Sequence, residues 1–222
     1  MTTFYNELYE NLYANKGYHA SESLTSTHYP SFMTGCIIPS KMEFETLLDI
    51  GCSTGIGIKS FFEPLGKTGE GIDVSETAVK KANERGVKAK VASVTDIPHD
   101  DDSFDLVCST DVIEHLKPED QEKAHRECFR VARKYVAHKI SNTPEGNKYG
   151  QPLHLTVWNI NTWFDFFESV KPEGWELIFK ITPENYEELK YDIERSIGQG
   201  REPETYESWI YNNTIVVFEK KG

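Results

Sequence analysis

The stretch Leu47–Gly55, LLDIGCSTG, decides the fold of this chain. Its first four residues are apolar except for Asp49, which is typical of a short strand buried on both faces of a sheet. Gly51, Gly55 and Gly57 follow, and glycine can take positive φ or let a ligand approach the backbone closely. The residues after Gly57 have the pattern of the first turns of a helix. A strand, a glycine turn and a helix together bind nucleotide-like ligands at the carboxyl edge of a parallel sheet.

Two common nucleotide-binding motifs do not fit this stretch. A phosphate-binding P-loop requires G-x-x-x-x-G-K-[ST]. Gly66–Thr68 imitates the end of that motif, but Phe61 stands where its first glycine is required. A dinucleotide fingerprint requires G-x-G-x-x-G directly after the strand. Gly55–Gly57 comes four residues late for that pattern, which then ends at Ser60 instead of a glycine.

A third pattern fits better. Asp49–Gly55, DIGCSTG, resembles the D-x-G-x-G-x-G-like first motif of class I S-adenosylmethionine methyltransferases. Ser53 stands where that family usually has glycine, and its small side chain should still let the cofactor pass. Phe104–Val107, FDLV, resembles the fourth strand of the family, and Thr110–Leu116, TDVIEHL, resembles the segment after it. The resemblance covers roughly Glu45–Ile140 and implies S-adenosylmethionine as the cofactor.

The resemblance assigns each part of the cofactor to a part of the chain. The glycine turn and the helix after it would receive the methionine end. Asp73 lies 22 residues after Gly51, and two carboxylate oxygens match the vicinal hydroxyls of a ribose. Asp73 as a helix N-cap is the alternative, although Ser75 suits that position better. The predicted cofactor-binding residues are Asp49, Gly51, Ser53, Gly55, Asp73, Val74, Asp96, Ile97 and Ser109.

The predicted adenine site is the short segment between the third and fourth strands. The resemblance implies that Asp96 accepts a hydrogen bond from the adenine amino group and that Ile97 packs on the ring. A solvated turn is the alternative.

The candidate catalytic residues are His115, His154 and Asp111. Residues three and four apart share a face on a helical turn, so Asp111, Glu114 and His115 can converge. Their spacing resembles the E-x-x-E-H metal site of ubiquinone-pathway O-methyltransferases and of ribose-methylating enzymes of small RNAs, with Asp111 at the first position. The resemblance implies Mg²⁺, Mn²⁺ or Zn²⁺ bound by these three residues and His154. Alternatively, Glu114 and His115 only cap and pack the turn, and His115 or His154 acts alone as a base.

The expected acceptor is a hydroxyl group of a small molecule or a glycan. Adenine and amide N-methyltransferases typically carry an Asn- or Asp-Pro-Pro-aromatic motif after the fourth strand, whereas Ser109–Val112 reads STDV here. A hydroxyl has a high pKa and benefits from a base or a metal ion. Two other classes stay open: a nicotinamide-dependent oxidoreductase, and a non-catalytic cofactor-binding or regulatory partner protein on the same fold.

The alternation of strands and helices predicts an α/β fold. We expect a Rossmann-like, seven-stranded, mostly parallel sheet with helices on both faces and an antiparallel edge strand. The resemblance implies that the last two strands form an antiparallel hairpin at that edge. Residues 1–41 are expected to form an N-terminal helix and a lid that uses Tyr18, His19 or His28, although a plain surface arm fits too. Residues 42–222 would form the catalytic domain.

Composition limits the classes of function. The formal net charge of −12 argues against an extended nucleic-acid-binding surface. The four cysteines have no C-x-x-C spacing and are expected to be reduced. The first residues lack the pattern of a signal peptide, and no apolar run approaches the roughly 18 residues of a membrane span. We therefore expect a cytoplasmic protein that acts on a small acceptor.

Overall fold

A seven-stranded sheet forms the centre of the computed structural model, which describes residues 4–16, 18, 41–144, 150–182 and 212–222. The strands are β1 (Thr46–Ile50), β2 (Thr68–Asp73), β3 (Lys88–Val91), β4 (Phe104–Thr110), β5 (Ala132–Ser141), β6 (Trp175–Lys180) and β7 (Asn213–Lys220). The helices are α1 (Phe4–Asn15), α2 (Glu76–Glu84), α3 (Gln121–Val131) and α4 (Ile160–Val170). Shorter helical turns are Ile58–Phe62, Glu63–Leu65, Ile113–His115 and Pro118–Asp120.

The strand order is β3-β2-β1-β4-β5-β7-β6, and the first five strands are parallel. Strand β7 is antiparallel and lies between β5 and β6. Residues 213–218 of β7 are all buried, as expected of an interior strand, whereas burial alternates along the edge strand β6. The Rossmann-like fold class is confirmed. The order of the chain reverses at β1 and β4, and ligands of open α/β sheets bind at such a point.

Apolar layers cover both faces of the sheet. On one face, Trp163 and Phe167 of α4 pack with Phe218 of β7 in a cluster that also includes α3. On the other face, Phe62 packs with Leu47 of β1. Because β1 is buried from both sides, its apolar sequence carries no alternation.

A capping side chain explains where α2 begins, and strand pairing explains where α3 ends. Ser75 caps α2, because its hydroxyl accepts a hydrogen bond from the N–H of Ala78 at 3.1 Å. The segment from Pro118 to Arg133 divides into a 3₁₀ turn, Pro118–Asp120, and helix α3. It ends at Val131, because Ala132 already pairs with Phe104 in the sheet.

The predicted N-terminal helix is present as α1. Of the three predicted lid residues, Tyr18 packs edge-on against Tyr9 and Tyr13 of α1, with ring centroids 5.9 and 5.2 Å apart. His19 and His28 lie outside the described residues. None of the helices in the described part of the chain has the length and apolar character needed to cross a membrane.

Candidate cofactor and acceptor site

The turn after β1 has an unusual backbone. Gly51, Ser53 and Gly55 all have positive φ, at 68°, 52° and 76°. The value at Ser53 accounts for the family preference for glycine at that position, since L-residues with side chains rarely adopt it. A Cβ atom on Gly51 would lie 2.5 Å from Cγ2 of Val112, in the segment after β4. The turn therefore requires glycine at 51 and packs directly against the segment that holds the candidate catalytic residues.

Asp73 ends β2 beside this turn and is 7% exposed. One carboxylate oxygen accepts a hydrogen bond from the N–H of Ser53 at 3.0 Å, and the other accepts one from the N–H of Ser75 at 2.9 Å. Burial raises the pKa of Asp73 to about 6 in spite of these bonds. Each oxygen keeps a second lone pair, so the carboxylate can still accept two ribose hydroxyls.

Helix α1 contacts this edge of the sheet, and its residues were not among the predicted site residues. The hydroxyl of Tyr13 donates to Oγ of Ser53 at 2.7 Å, and the side-chain amide of Asn6 donates to the carbonyl of Val74 at 3.0 Å. Glu10 accepts from the hydroxyl of Ser75 at 2.7 Å. Each partner belongs to or directly follows the predicted cofactor-binding segments. The signal for this docking was the stripe of tyrosines at four-residue spacing along α1.

The other predicted cofactor residues differ in accessibility. Asp49 is fully buried at the end of β1, and Asp96 is exposed in the segment after β3. Ile97 is 3% exposed and packs in the core, which disfavours the predicted contact with an adenine ring. Ser109 is also fully buried, and its hydroxyl bonds to Nδ1 of His138 at 2.8 Å.

Glu114, His115 and His154 come together at the carboxyl end of β4. Each offers one ligand atom, and these atoms lie within 4.8 Å of one another. The N–H groups of Leu155 and Thr156 donate to the carbonyl of Glu114 at 2.8 and 3.0 Å. These bonds hold the segment that contains His154 against the turn that contains Glu114. The two histidine rings are edge to face, with centroids 4.7 Å apart.

Backbone carbonyls orient both histidines. Nδ1 of His115 lies 3.1 Å from the carbonyl of Leu153, and Nδ1 of His154 lies 2.5 Å from the carbonyl of Thr143. A carbonyl can only accept, so in each neutral ring Nδ1 carries the hydrogen and Nε2 carries the lone pair. This arrangement is typical of histidines that bind a metal ion or act as a base.

Glu114 is fully buried, which is costly for a carboxylate. Its Oε1 accepts from the N–H of Ser141 at 2.9 Å, while Oε2 has no hydrogen-bond partner among the described residues. Burial, together with the charge of Asp111, raises the pKa of Glu114 to about 8. A buried acceptor of this kind fits either a bound cation or a carboxyl group that keeps its proton at neutral pH.

Asp111 does not join this group. Its two carboxylate oxygens lie 2.6 and 2.8 Å from Nζ of Lys139 on β5. The predicted set of four metal ligands is therefore reduced to Glu114, His115 and His154. One carboxylate and two imidazoles suit Zn²⁺ or Mn²⁺ better than Mg²⁺, which prefers oxygen ligands.

Comparison with known proteins agrees with this geometry. Residues 48–135 match the family model described as a methyltransferase domain, and they include the glycine turn, Asp73 and the Glu114–His115 segment. Residues 48–135 thus carry a methyltransferase domain, consistent with the class I superfamily. The predicted family resemblance is thereby confirmed, together with the fold class.

Two curated relatives match part of this chain. Norajmaline N-methyltransferase of Rauvolfia serpentina is 35% identical over 102 residues, which cover 42% of this chain and 34% of that protein. Phosphoethanolamine N-methyltransferase of Plasmodium falciparum is 33% identical over 93 residues, which cover 40% of this chain and 35% of that protein. The matched part thus spans about a third of the length of both relatives.

A solved structure matches nearly the whole chain. The plantazolicin methyltransferase BpumL, in complex with S-adenosylhomocysteine, has a TM-score of 0.67 and 12% identity, with 98% of this chain and 95% of that chain covered. At this identity the similarity shows the fold and nothing finer.

Proposed function

We propose that this protein is an S-adenosylmethionine-dependent methyltransferase that methylates a hydroxyl group of a small molecule or sugar. The observation that carries the proposal is the group formed by Glu114, His115 and His154. It adjoins the glycine turn, because Val112, two residues before Glu114, packs on Gly51. A proton-accepting group thus stands next to the predicted methyl donor.

S-adenosylmethionine, when bound, supplies a methyl group already activated by the positive sulfonium. The residues of the chain then have three tasks. Asp73 accepts hydrogen bonds from the ribose, Asp96 is the proposed acceptor for the adenine amino group, and the glycine turn leaves room for the methionine end. Tyr13 holds α1 against Ser53 and so helps to exclude water from this edge.

The acceptor hydroxyl must lose its proton as the oxygen attacks. His115 and His154 carry their lone pairs on Nε2 and can take that proton. A divalent ion held by these histidines and Glu114 would lower the pKa of the hydroxyl instead. The orphaned Oε2 of Glu114 favours this second arrangement, and chelation distinguishes the two.

An amine acceptor is the second candidate. Both curated relatives are named as N-methyltransferases, and an amine needs the same proton acceptor before it can attack. The group of Glu114, His115 and His154 favours the hydroxyl, since a hydroxyl has a high pKa and gains most from a base or a metal ion.

The deciding experiment is transfer of a tritiated methyl group from S-adenosylmethionine to a panel of sugars, phenols and amines, with and without added Mg²⁺, Mn²⁺ or Zn²⁺. Labelling of hydroxyl compounds supports the proposal, and labelling confined to amines replaces it with the second candidate.

Calorimetric titration with S-adenosylmethionine against NAD tests the oxidoreductase alternative, and binding of NAD alone would contradict the methyltransferase assignment. Cofactor binding without transfer to any acceptor would favour a non-catalytic partner protein.

A further inference from the structure

The segment between β3 and β4, residues 92–103, forms a compact loop beside the predicted cofactor edge. The N–H of Ala92 donates to the carbonyl of Asp73 at 3.0 Å, so the loop begins next to the predicted ribose site. The N–H of Asp96 donates to the carbonyl of Ser93 at 3.0 Å and closes a tight turn. This turn carries the exposed carboxylate of Asp96.

Two side chains of α3 bind the peptide groups that follow Asp96. Oε2 of Glu127 accepts from the N–H of Ile97 at 2.9 Å, and Nη2 of Arg130 donates to the carbonyl of Ile97 at 3.0 Å. Both backbone polar groups of Ile97 are therefore satisfied by side chains from one face of one helix. Ile97 itself is anchored in the core.

Glu127 and Arg130 also bind each other in a fork. Nε of Arg130 lies 2.7 Å from Oε1 of Glu127, and Nη2 lies 2.8 Å from Oε2. The hydrogen bonds from Arg130 lower the pKa of Glu127, so the carboxylate stays charged. Such planar two-point pairs fix geometry as well as supply energy.

Arg130 extends its contacts to the end of the loop. Nη1 donates to the carbonyl of His99 at 2.8 Å and to the carboxylate of Asp101 at 2.8 Å. The backbone carbonyl of Arg130 accepts from the N–H of Asp102 at 3.0 Å. One arginine thus contacts four residues of a loop that has no regular secondary structure of its own.

We propose that Glu127 and Arg130 are positioning residues that set the specificity for the base of the cofactor, because they hold the Ile97 peptide and hence the carboxylate of Asp96 in place. The inference rests on the proposed function. Asp96 is joined to Ile97 by a single peptide group, so a shift of that peptide moves the acceptor directly. A displacement of 1 Å is enough to lose a directional hydrogen bond.

The test compares two nucleoside ligands by calorimetry. S-inosylhomocysteine has a ring carbonyl in place of the 6-amino group of S-adenosylhomocysteine, so only the latter can donate a hydrogen bond from that position to Asp96. The unmodified protein should bind the adenosyl ligand about tenfold more tightly, as expected for one lost hydrogen bond. In Arg130→Gln this preference should fall to about threefold or less, because the side chain that binds the loop and pairs with Glu127 is lost. Arg130→Lys, which keeps the charge but not the fork, should lie between the two.

Arg126→Gln is the matched control, since Arg126 pairs with Glu122 on the same helix and both side chains are exposed. It should keep the full preference. Glu127→Gln should also reduce the preference for the adenosyl ligand, and it provides the test if Arg130→Gln does not fold. A loss of stability with an unchanged preference would overturn the inference and reduce the pair to a structural role, as would equal loss of both affinities. Failure of the unmodified protein to bind either ligand would instead contradict the proposed function.

Discussion

Nζ of Lys139 lies 2.6 and 2.8 Å from the two carboxylate oxygens of Asp111. Their side chains are 8% and 14% exposed, so the ion pair is largely shielded from water. Removal of one partner from a buried pair leaves an uncompensated charge. We therefore expect Lys139→Met to lower the free energy of unfolding by about 3 kcal/mol, measured by urea denaturation.

The double variant Asp111→Asn/Lys139→Met should recover part of that loss, because no charge is then left alone. Lys220→Met is the control, since its pair with Asp102 is exposed and should contribute less than about 1 kcal/mol. A double variant that loses the sum of the two single effects would contradict the coupling.

His115→Ala should reduce kcat for methyl transfer by roughly a hundredfold or more, whether the ring acts as a base or as a ligand. Exhaustive chelation separates these roles. Loss of turnover after chelation, with recovery on addition of Mn²⁺ or Zn²⁺, would support the metal site. Full turnover in the chelated protein would rule out the metal and leave the histidine base.

Asp73→Ala should weaken binding of S-adenosylmethionine at least tenfold and leave the protein folded, because hydrogen bonds to the charged carboxylate contribute up to about 1.5–3 kcal/mol each. The pKa of Asp73 is raised by burial from 3.8 to about 6. In the folded protein the carboxylate is therefore charged only above about pH 6. Without cofactor, this group destabilises the fold progressively as pH rises from about 4 to about 6.

Affinity for the cofactor should accordingly increase as pH rises through 6, as measured by calorimetry between pH 5 and pH 7.5. Asp73→Asn should abolish that dependence. An affinity that does not change with pH in the unmodified protein, or normal binding by the folded alanine variant, would remove Asp73 from the cofactor site.

Gly51→Val should abolish cofactor binding. Any Cβ at this position meets Val112 at 2.5 Å, and the positive φ strains a β-branched residue. Gly51→Ala should therefore bind less tightly, and Val112→Ala in the same chain should restore part of the affinity by removing the clashing methyl groups. Normal binding by Gly51→Val would count against the whole assignment.

Asp105 should stabilise the fold above acid pH. Although burial opposes it, hydrogen bonds from the N–H of Glu45 and from Arg133 lower the pKa of Asp105 from 3.8 to about 2. A carboxyl group whose pKa is lowered by folding stabilises the protein at any pH above its pKa in the unfolded chain. For Asp105 this stabilisation is lost as pH falls from about 4 to about 2. Asp105→Asn should lose on the order of 2 kcal/mol at pH 7. The exposed Asp165→Asn is the control, and thermal unfolding at pH 7 and pH 3 measures both.

The sequence alone determined the parts of this protein that depend on neighbouring residues. The apolar run before Gly51 specifies a strand buried on both faces, the glycines specify the turn, and Ser75 specifies the start of α2. Asp73 could be placed at the carboxyl edge of the sheet, beside the glycine turn, because parallel strands bring their carboxyl ends together. These features follow from turn chemistry and periodicity, which are local properties of the chain.

The tertiary structure decided what depends on distant partners. Asp111 lies one helical turn from His115 in the sequence, yet Lys139 on the neighbouring strand binds its carboxylate instead. The hydrogen bond from Tyr13 to Ser53 and the meeting of His154 with His115 join segments about 40 residues apart. Residue spacing predicts neither contact, because side-chain direction and strand order become fixed only when the sheet is assembled.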